Sequence, residues 1–212
     1  MRTFIIVFLV ALFCVSSAFG QRRYEPIPKI KDKPYYSVVQ IGLSNPGGPD
    51  RLKDFWSFGI TASYGIDKKI TPFYALNTTV MCNTFIFKEN DFLKVRGITD
   101  YTAKGPFEIL ATVMVNGKYT PEPENDLMVY FFGGCGLMYR NEGKIQYTIS
   151  PNPYSTYSNG KVETVFCVNA GLGTEYYIPR IKSELVIELK WVVGGTSGGI
   201  MYFFPFTAGL KF

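Results

Sequence analysis

The 212-residue chain carries 22 lysine and arginine residues, 17 aspartate and glutamate residues and no histidine, for a formal net charge of +5. The excess of basic residues is small and spread along the chain, which argues against a nucleic-acid-binding protein. Aromatic residues make up 17% of the chain, charged residues only 18%, and 21 residues are glycine. This composition favours a single all-β domain with tight bends and a large apolar exterior.

The first 20 residues have the pattern of a secretory signal peptide. Arg2 supplies a positive charge, residues 4–15 form an apolar core, and Ala18-Phe19-Gly20 place small side chains before a cleavage point at Gln21. An apolar core of about a dozen residues is shorter than the ~20 residues that a membrane-spanning helix needs. We therefore predict that residues 1–20 are removed on export and do not remain as an uncleaved anchor.

Residues 21–34, which read QRRYEPIPKIKDKP, are basic and contain three prolines. They show no hydrophobic periodicity, which is typical of an extended segment. We expect this segment to lead into a folded domain over residues 35–212.

Three cysteines remain after the signal peptide, at Cys82, Cys135 and Cys167. Their odd number and irregular spacing do not fit a disulfide framework. A zinc site is also disfavoured, because the chain has no histidine and no CxxC motif. No metal or other cofactor is predicted.

From Tyr35 onward the sequence alternates between apolar and other residues in eight segments, the pattern of β-strands with two different faces. The last segment, MYFFPFTAGLKF, is the clearest, because every even position from Tyr202 to Phe212 is apolar. Pro205 cannot donate a ladder hydrogen bond, so we expect a bulge there. The predicted strands cover residues 35–43, 56–65, 72–87, 107–116, 128–139, 162–178, 185–193 and 201–212.

The two faces of these segments differ in a way that points to a membrane. The apolar faces carry no charge, and a lysine or arginine facing lipid costs roughly 2–4 kcal/mol at mid-membrane. The links after the first, third and fifth segments are long and polar, and two of the three between them are short, as in outer-membrane barrels. A soluble lipocalin-like barrel is the alternative, but its outward face should be rich in charge.

Two motifs resemble those of a known group of proteins. The terminal FTAGLKF and the segment VNAGLGTEYYI are similar to stretches of the OmpX-like and OmpA-barrel-like outer-membrane proteins. The resemblance implies an all-β, eight-stranded antiparallel up-and-down transmembrane barrel, set in outer-membrane lipid and lipopolysaccharide. It also implies that the lead-in, residues 21–34, lies in the periplasm and that the barrel-assembly machinery reads the last strand through Phe206, Leu210 and Phe212.

Two further sets of residues are candidates for defined places in such a barrel. Aromatic residues near strand ends are expected to form girdles at the membrane interfaces. Charged residues on the inner face are expected to pair in a polar network that plugs the lumen. The girdle candidates are Trp56, Tyr64, Tyr139, Tyr176 and Trp191, and the lumen candidates are Glu108, Glu175, Glu188 and Lys190.

The lack of histidine also bears on function, because barrel enzymes of this size class use histidine as a base or to orient a nucleophile. We therefore predict a non-enzymatic protein with a structural or surface-interaction role through long external loops. An OmpW-like narrow channel or carrier for small or apolar solutes is the second hypothesis, and a secreted lipocalin-like binder the third. Eight strands leave an interior that side chains fill, whereas ten would leave more room. No specific binding partner is predicted.

Overall fold

The computed structural model describes residues 34–95, 102–105, 107–123, 125, 127–149, 152–158 and 160–212. The predicted signal peptide and nearly all of the predicted lead-in lie outside these residues. Eight long strands close into an antiparallel barrel, as the sequence predicts, in the order β1-β11-β10-β9-β6-β5-β3-β2. Their bounds are β1 Tyr35–Gly48, β2 Trp56–Lys69, β3 Tyr74–Phe87, β5 Glu108–Tyr119, β6 Leu127–Glu142, β9 Lys161–Ile178, β10 Ser183–Thr196 and β11 Gly199–Lys211.

The two ends of the barrel differ in their connections. One end, here called the turn end, carries the links at residues 70–73, 120–126 and 179–182. Strand β1 begins at this end, and strand β11 finishes there. The other end, here called the loop end, carries two longer insertions and the link at residues 49–55. The fourth loop-end link is only Ser197-Gly198.

The loop-end links, which the sequence predicted only as polar loops, contain secondary structure. They contain two short helices, α1 (Asp50–Phe55) and α2 (Glu89–Val95), and a second sheet. Its strands are β4 (Thr102–Lys104), β7 (Ile145–Ile149) and β8 (Asn152–Ser158), in the order β4-β7-β8. Neither helix in the described part of the chain is long and apolar enough to cross a membrane.

The prediction of a bulge at Pro205 is wrong. Pro205 pairs with Ser44 of β1 in regular register, and the β10–β11 ladder keeps its register on both sides of Pro205. The ladder has only a local gap there, where Lys190 and Trp191 lack β11 partners. The bulge in this part of the wall lies instead in β1, between Pro46 and Gly48.

The exterior of the barrel is apolar along its whole height. Residues such as Ile41, Ile60, Val113 and Phe166 are each more than half exposed on its outer face. Across the eight barrel strands, Lys68 at the turn end is the one charge at an outward position. A soluble barrel buries its apolar side chains and exposes its charged ones. This barrel does the reverse, which fits a lipid environment.

The interior has two halves of different character. The half towards the loop end is filled by an apolar cluster, here called the apolar plug, to which α1, α2 and β7 contribute side chains. Polar and charged side chains fill the half towards the turn end. The plug consists of Leu52, Phe55, Trp56, Met81, Phe85, Phe92, Leu110, Met114, Met138, Ile145, Cys167, Val192, Met201 and Phe203.

Candidate functional site: the barrel lumen and its two ends

A group of five charged side chains lies in the lumen at the turn end. Glu175 forms ion pairs with Lys118 and with Lys211, the latter at 2.8 Å. Lys118 also lies 3.2 Å from Asp67, and Lys211 lies 2.8 Å from Glu184. Because each charge faces at least one of opposite sign, the cost of taking these groups out of water is offset within the cluster.

A second polar group lies one layer deeper and is centred on Glu188. Its carboxylate accepts hydrogen bonds from Gln40 and from the Tyr130 hydroxyl, each at 2.7 Å, and lies 2.8 Å from the Lys190 ammonium. The Lys118 ammonium lies 3.7 Å from the centre of the Tyr130 ring, a cation–π contact. Tyr130 therefore joins the two polar layers.

The third charged group lies at the loop end and is separate from the other two. Arg140 donates to Glu108 at 2.6 Å, to Glu142 at 3.2 Å and to Glu163 at 3.2 Å. The other oxygen of Glu163 accepts from the Ser197 hydroxyl at 2.9 Å, which ties β9 to the β10–β11 turn. A single guanidinium with several donors is suited to holding carboxylates from three strands together.

The structure thus places the four predicted lumen residues inside the barrel but not in a single network. Glu175, Glu188 and Lys190 lie in the two polar layers towards the turn end. Glu108 is fully buried beside Arg140 near the loop end, across the apolar plug from the others. Their part in closing or gating the lumen stays a prediction.

Several members of these groups were missed because the predicted strands were too short. Asp67, Lys118 and Arg140 were assigned to turns or loops, but β2, β5 and β6 continue through them. Continuing the alternation of inward and outward positions a few residues beyond each predicted strand would have found all three, since each lies at an inward, buried position. No group of ligating side chains that could hold a metal ion occurs among the described residues.

The aromatic candidates fall into two classes. Tyr64, Tyr139 and Trp191 lie exposed on the outer face, and Tyr176 is half-buried at an outward position. The outward placement of Trp56 is wrong, because its side chain is fully buried in the apolar plug. The β2–β3 register shifts between Trp56 and Gly59, and this bulge turns the tryptophan inward.

The candidate assembly signal lies at the seam where the barrel closes. Phe206 and Leu210 point outward from β11, and Phe212 is exposed at the turn end. The backbone of Phe212 exchanges two hydrogen bonds of 3.0 Å with that of Ser37, so the pairing of first and last strands runs to the final residue. Recognition of these three residues by an assembly machinery stays a prediction.

No protein-family model and no curated protein matches the chain. Solved structures match it in fold at low identity. The Ail protein of Yersinia pestis, in complex with the heparin analogue sucrose octasulfate, is 12% identical; the match covers 85% of this chain and all of that chain, with a TM-score of 0.48. Neisserial surface protein A is 9% identical, with 84% and 96% covered and a TM-score of 0.49. OprG from Pseudomonas aeruginosa is 10% identical, with 84% and 95% covered and a TM-score of 0.45.

The chain's own structure identifies its environment. A closed barrel pairs the backbone groups of its strands with one another, which is the condition for β-strands to cross a bilayer. The outer wall is apolar apart from Lys68 at the turn end, and most charged side chains of the barrel strands lie inside. The protein is therefore a transmembrane β-barrel of the outer-membrane type, as the sequence predicts. The lipocalin-like alternative would require the opposite orientation of the two faces.

Proposed function

We propose that this protein is a non-enzymatic surface-interaction barrel that binds extended protein segments through its loop-end sheet. The observation that carries the proposal is the open edge of β8. Within the described part of the chain, β8 pairs with β7 on one side only. Its other side pairs with no described strand, which would leave backbone donors and acceptors available to a strand from a partner, the arrangement used in β-strand addition.

The composition of the β7–β8 hairpin supports this role. Residues 145–158 read IQYTISPNPYSTYS and contain no charged residue. Exposed edges that avoid pairing are commonly blocked by charged residues or by proline. This segment has no charged residue, and the single proline within β8 is Pro153, at the second position of the strand. Tyrosine, serine and asparagine are also the residue types that dominate adaptable binding surfaces.

The filled lumen favours a surface role over a channel role. Among the described residues, cavities of about 10, 100 and 10 Å³ lie inside the barrel or at its turn end. The cavity of about 100 Å³ is at the turn-end mouth, and the apolar plug lies between the polar layers and the loop end. A solute-conducting pathway would need this plug to move.

The remaining interactions in the proposal follow from the barrel's surroundings. The apolar wall would contact outer-membrane lipid, with lipopolysaccharide around the loop end. Phe206, Leu210 and Phe212 would engage the barrel-assembly machinery during insertion. The lack of histidine supports the non-enzymatic assignment.

Selection of short linear peptides on the purified, detergent-folded barrel tests the surface proposal. Peptides selected on the native barrel should lose binding in a Ser155→Pro, Thr156→Pro double variant, because adjacent prolines remove a donor from both sides of β8. The matched control is Ala103→Pro in β4, which lies at the opposite edge of the same sheet. Peptides that bind the double variant equally well, or that fail only on the β4 control, would contradict the proposed edge.

A further inference from the structure

The deeper polar half of the lumen contains two small cavities that share a wall. Each has a volume of about 10 Å³, and both are lined by Asn77, Thr79 and Glu188. The first also touches Lys118 and Glu175 of the turn-end cluster, which border the larger cavity at the mouth. A cavity of roughly 10–15 Å³ on this scale has room for one water molecule.

The second cavity has unsatisfied acceptors in its wall. The side-chain oxygens of Asn116 and Asn169 are buried and have no hydrogen-bond partner among the described residues. The two residues are only 3% and 9% exposed, and both line this cavity. A buried amide oxygen left without a donor costs about 1–3 kcal/mol, so a donor molecule in the cavity that both residues line would lower this cost.

The groups that line the second cavity fit a water molecule better than a metal cation. Lys190 also lines the cavity, and its ammonium group has three N–H donors and two partners, Gln40 and Glu188. A water molecule can donate to both amide oxygens and accept from the lysine, which is the usual complement of about three bonds for a buried water. A metal cation would meet the positive charge of Lys190.

The opposite wall of the same cavity is apolar and belongs to the plug. Met81 and Met114 line it, whereas Met138 and Met201 lie within the plug and do not. The four methionines are all 2% exposed or less. They therefore differ in their contact with the cavity and not in their exposure to bulk solvent.

We propose that the cavity between Asn116 and Asn169 is an ordered-water site, and that it is the innermost site of a hydrated half-channel entered from the turn end. The half-channel passes the turn-end ion pairs, reaches Glu188, and stops at Met81 and Met114. Water therefore exchanges with the lumen from one side of the membrane, and the apolar plug keeps the other side dry.

X-ray radiolytic footprinting in nanodiscs tests this inference, because a radical formed from a buried water oxidises the side chain next to it. Deoxygenated protein is mixed with ¹⁸O-labelled water before the pulse, and methionine sulfoxide is located by mass spectrometry. Met128 borders the mouth and is the positive control. We expect ¹⁸O-sulfoxide at Met81 and Met114 and none at Met138 or Met201.

A double variant, Asn116→Leu with Asn169→Leu, removes both acceptors at similar side-chain volume and should abolish the label on Met81 and Met114. The comparison among the four methionines of the native protein stands even if this variant does not fold. Absence of label at Met81 and Met114 would overturn the water site. Sulfoxide that carries only ¹⁶O would overturn the proposal that the site exchanges with bulk water. Equal ¹⁸O label at Met138 and Met201 would overturn the proposal that the plug is dry.

Discussion

The ring of Tyr130 occupies the space that a side chain at Gly173 would take. The two residues are directly opposite in the β6–β9 ladder, and a Cβ atom at Gly173 would lie 2.4 Å from Tyr130 Cζ. The hydroxyl group of the same tyrosine donates to Glu188. The glycine thus allows an aromatic ring to lie across the lumen and to hold the carboxylate of the deeper polar layer.

A Gly173→Ala substitution should therefore displace Tyr130 and weaken its bond to Glu188. Overpacking of this kind costs about 1–3 kcal/mol. Urea unfolding of the barrel in lipid vesicles, followed by tryptophan fluorescence, measures the change. Gly195→Ala is the matched control, because a Cβ atom there meets nothing within 4 Å. An equal effect of the two substitutions would contradict this role of Gly173.

Glu175 should be a major stabilising residue of the turn-end cluster. Glu175→Gln keeps the shape but leaves Lys118 and Lys211 with less negative charge around them, and breaking a buried ion pair by removing one partner costs about 3–5 kcal/mol. The same unfolding measurement gives the loss. Glu122→Gln, in the exposed β5–β6 turn, should stay within about 0.5 kcal/mol of the native value. A Glu175 variant as stable as this control would show that the cluster is not stabilising.

The three described cysteines should differ in reactivity according to their position in the wall. Cys82 and Cys135 are exposed on the outer face, and Cys167 is buried in the plug. In bilayers, a lipid-soluble diazirine activated by light should modify the first two side chains and not Cys167. A charged methanethiosulfonate reagent should label none of the three, because the thiolate that it needs does not form in hydrocarbon. Mass spectrometry of the labelled peptides reads out each site. Labelling of Cys135 by the charged reagent would place that part of the wall in water.

The last residue should matter for assembly because the barrel seam runs to it. Phe212 exchanges two backbone hydrogen bonds with Ser37, so its deletion shortens the closing ladder at the turn end. We expect the native protein to migrate differently on gels before and after boiling, and the deletion variant to give less of the unboiled, folded band. An unchanged folded fraction in the outer membrane would mean that neither the ladder end nor a terminal signal is needed.

The barrel could be predicted from the sequence because lipid contact imposes a simple rule on every strand. Outward residues such as Ile60, Val113 and Phe166 must be uncharged in lipid, and their recurrence at every second position can be recognised in the sequence. The loop-end elements follow no comparable rule. Strand β4 has only three residues and β8 only seven, and neither shows a repeating pattern long enough to recognise.

The contents of the lumen were harder to predict for a different reason. Inward positions carry glycine, methionine, asparagine and charged residues, and which of them meet depends on the register of strands distant in sequence. Lys211 and Glu175 are 36 residues apart, and Arg140 and Glu108 are 32 apart. The prediction for Trp56 failed for a local reason. A bulge turns its side chain from the outer to the inner face, and the alternation of the sequence does not show this bulge.

The most direct test of the central claim is the depth dependence of a charge on the outer wall. Val113 lies in the middle of β5 and is 52% exposed, and Val162 lies at the loop end of β9 and is 61% exposed. In a membrane, Val113→Arg should lower the free energy of unfolding by roughly 2–4 kcal/mol and Val162→Arg by roughly 0–1 kcal/mol. Equal, near-zero effects of the two substitutions would contradict a transmembrane barrel, because both valines would then face water.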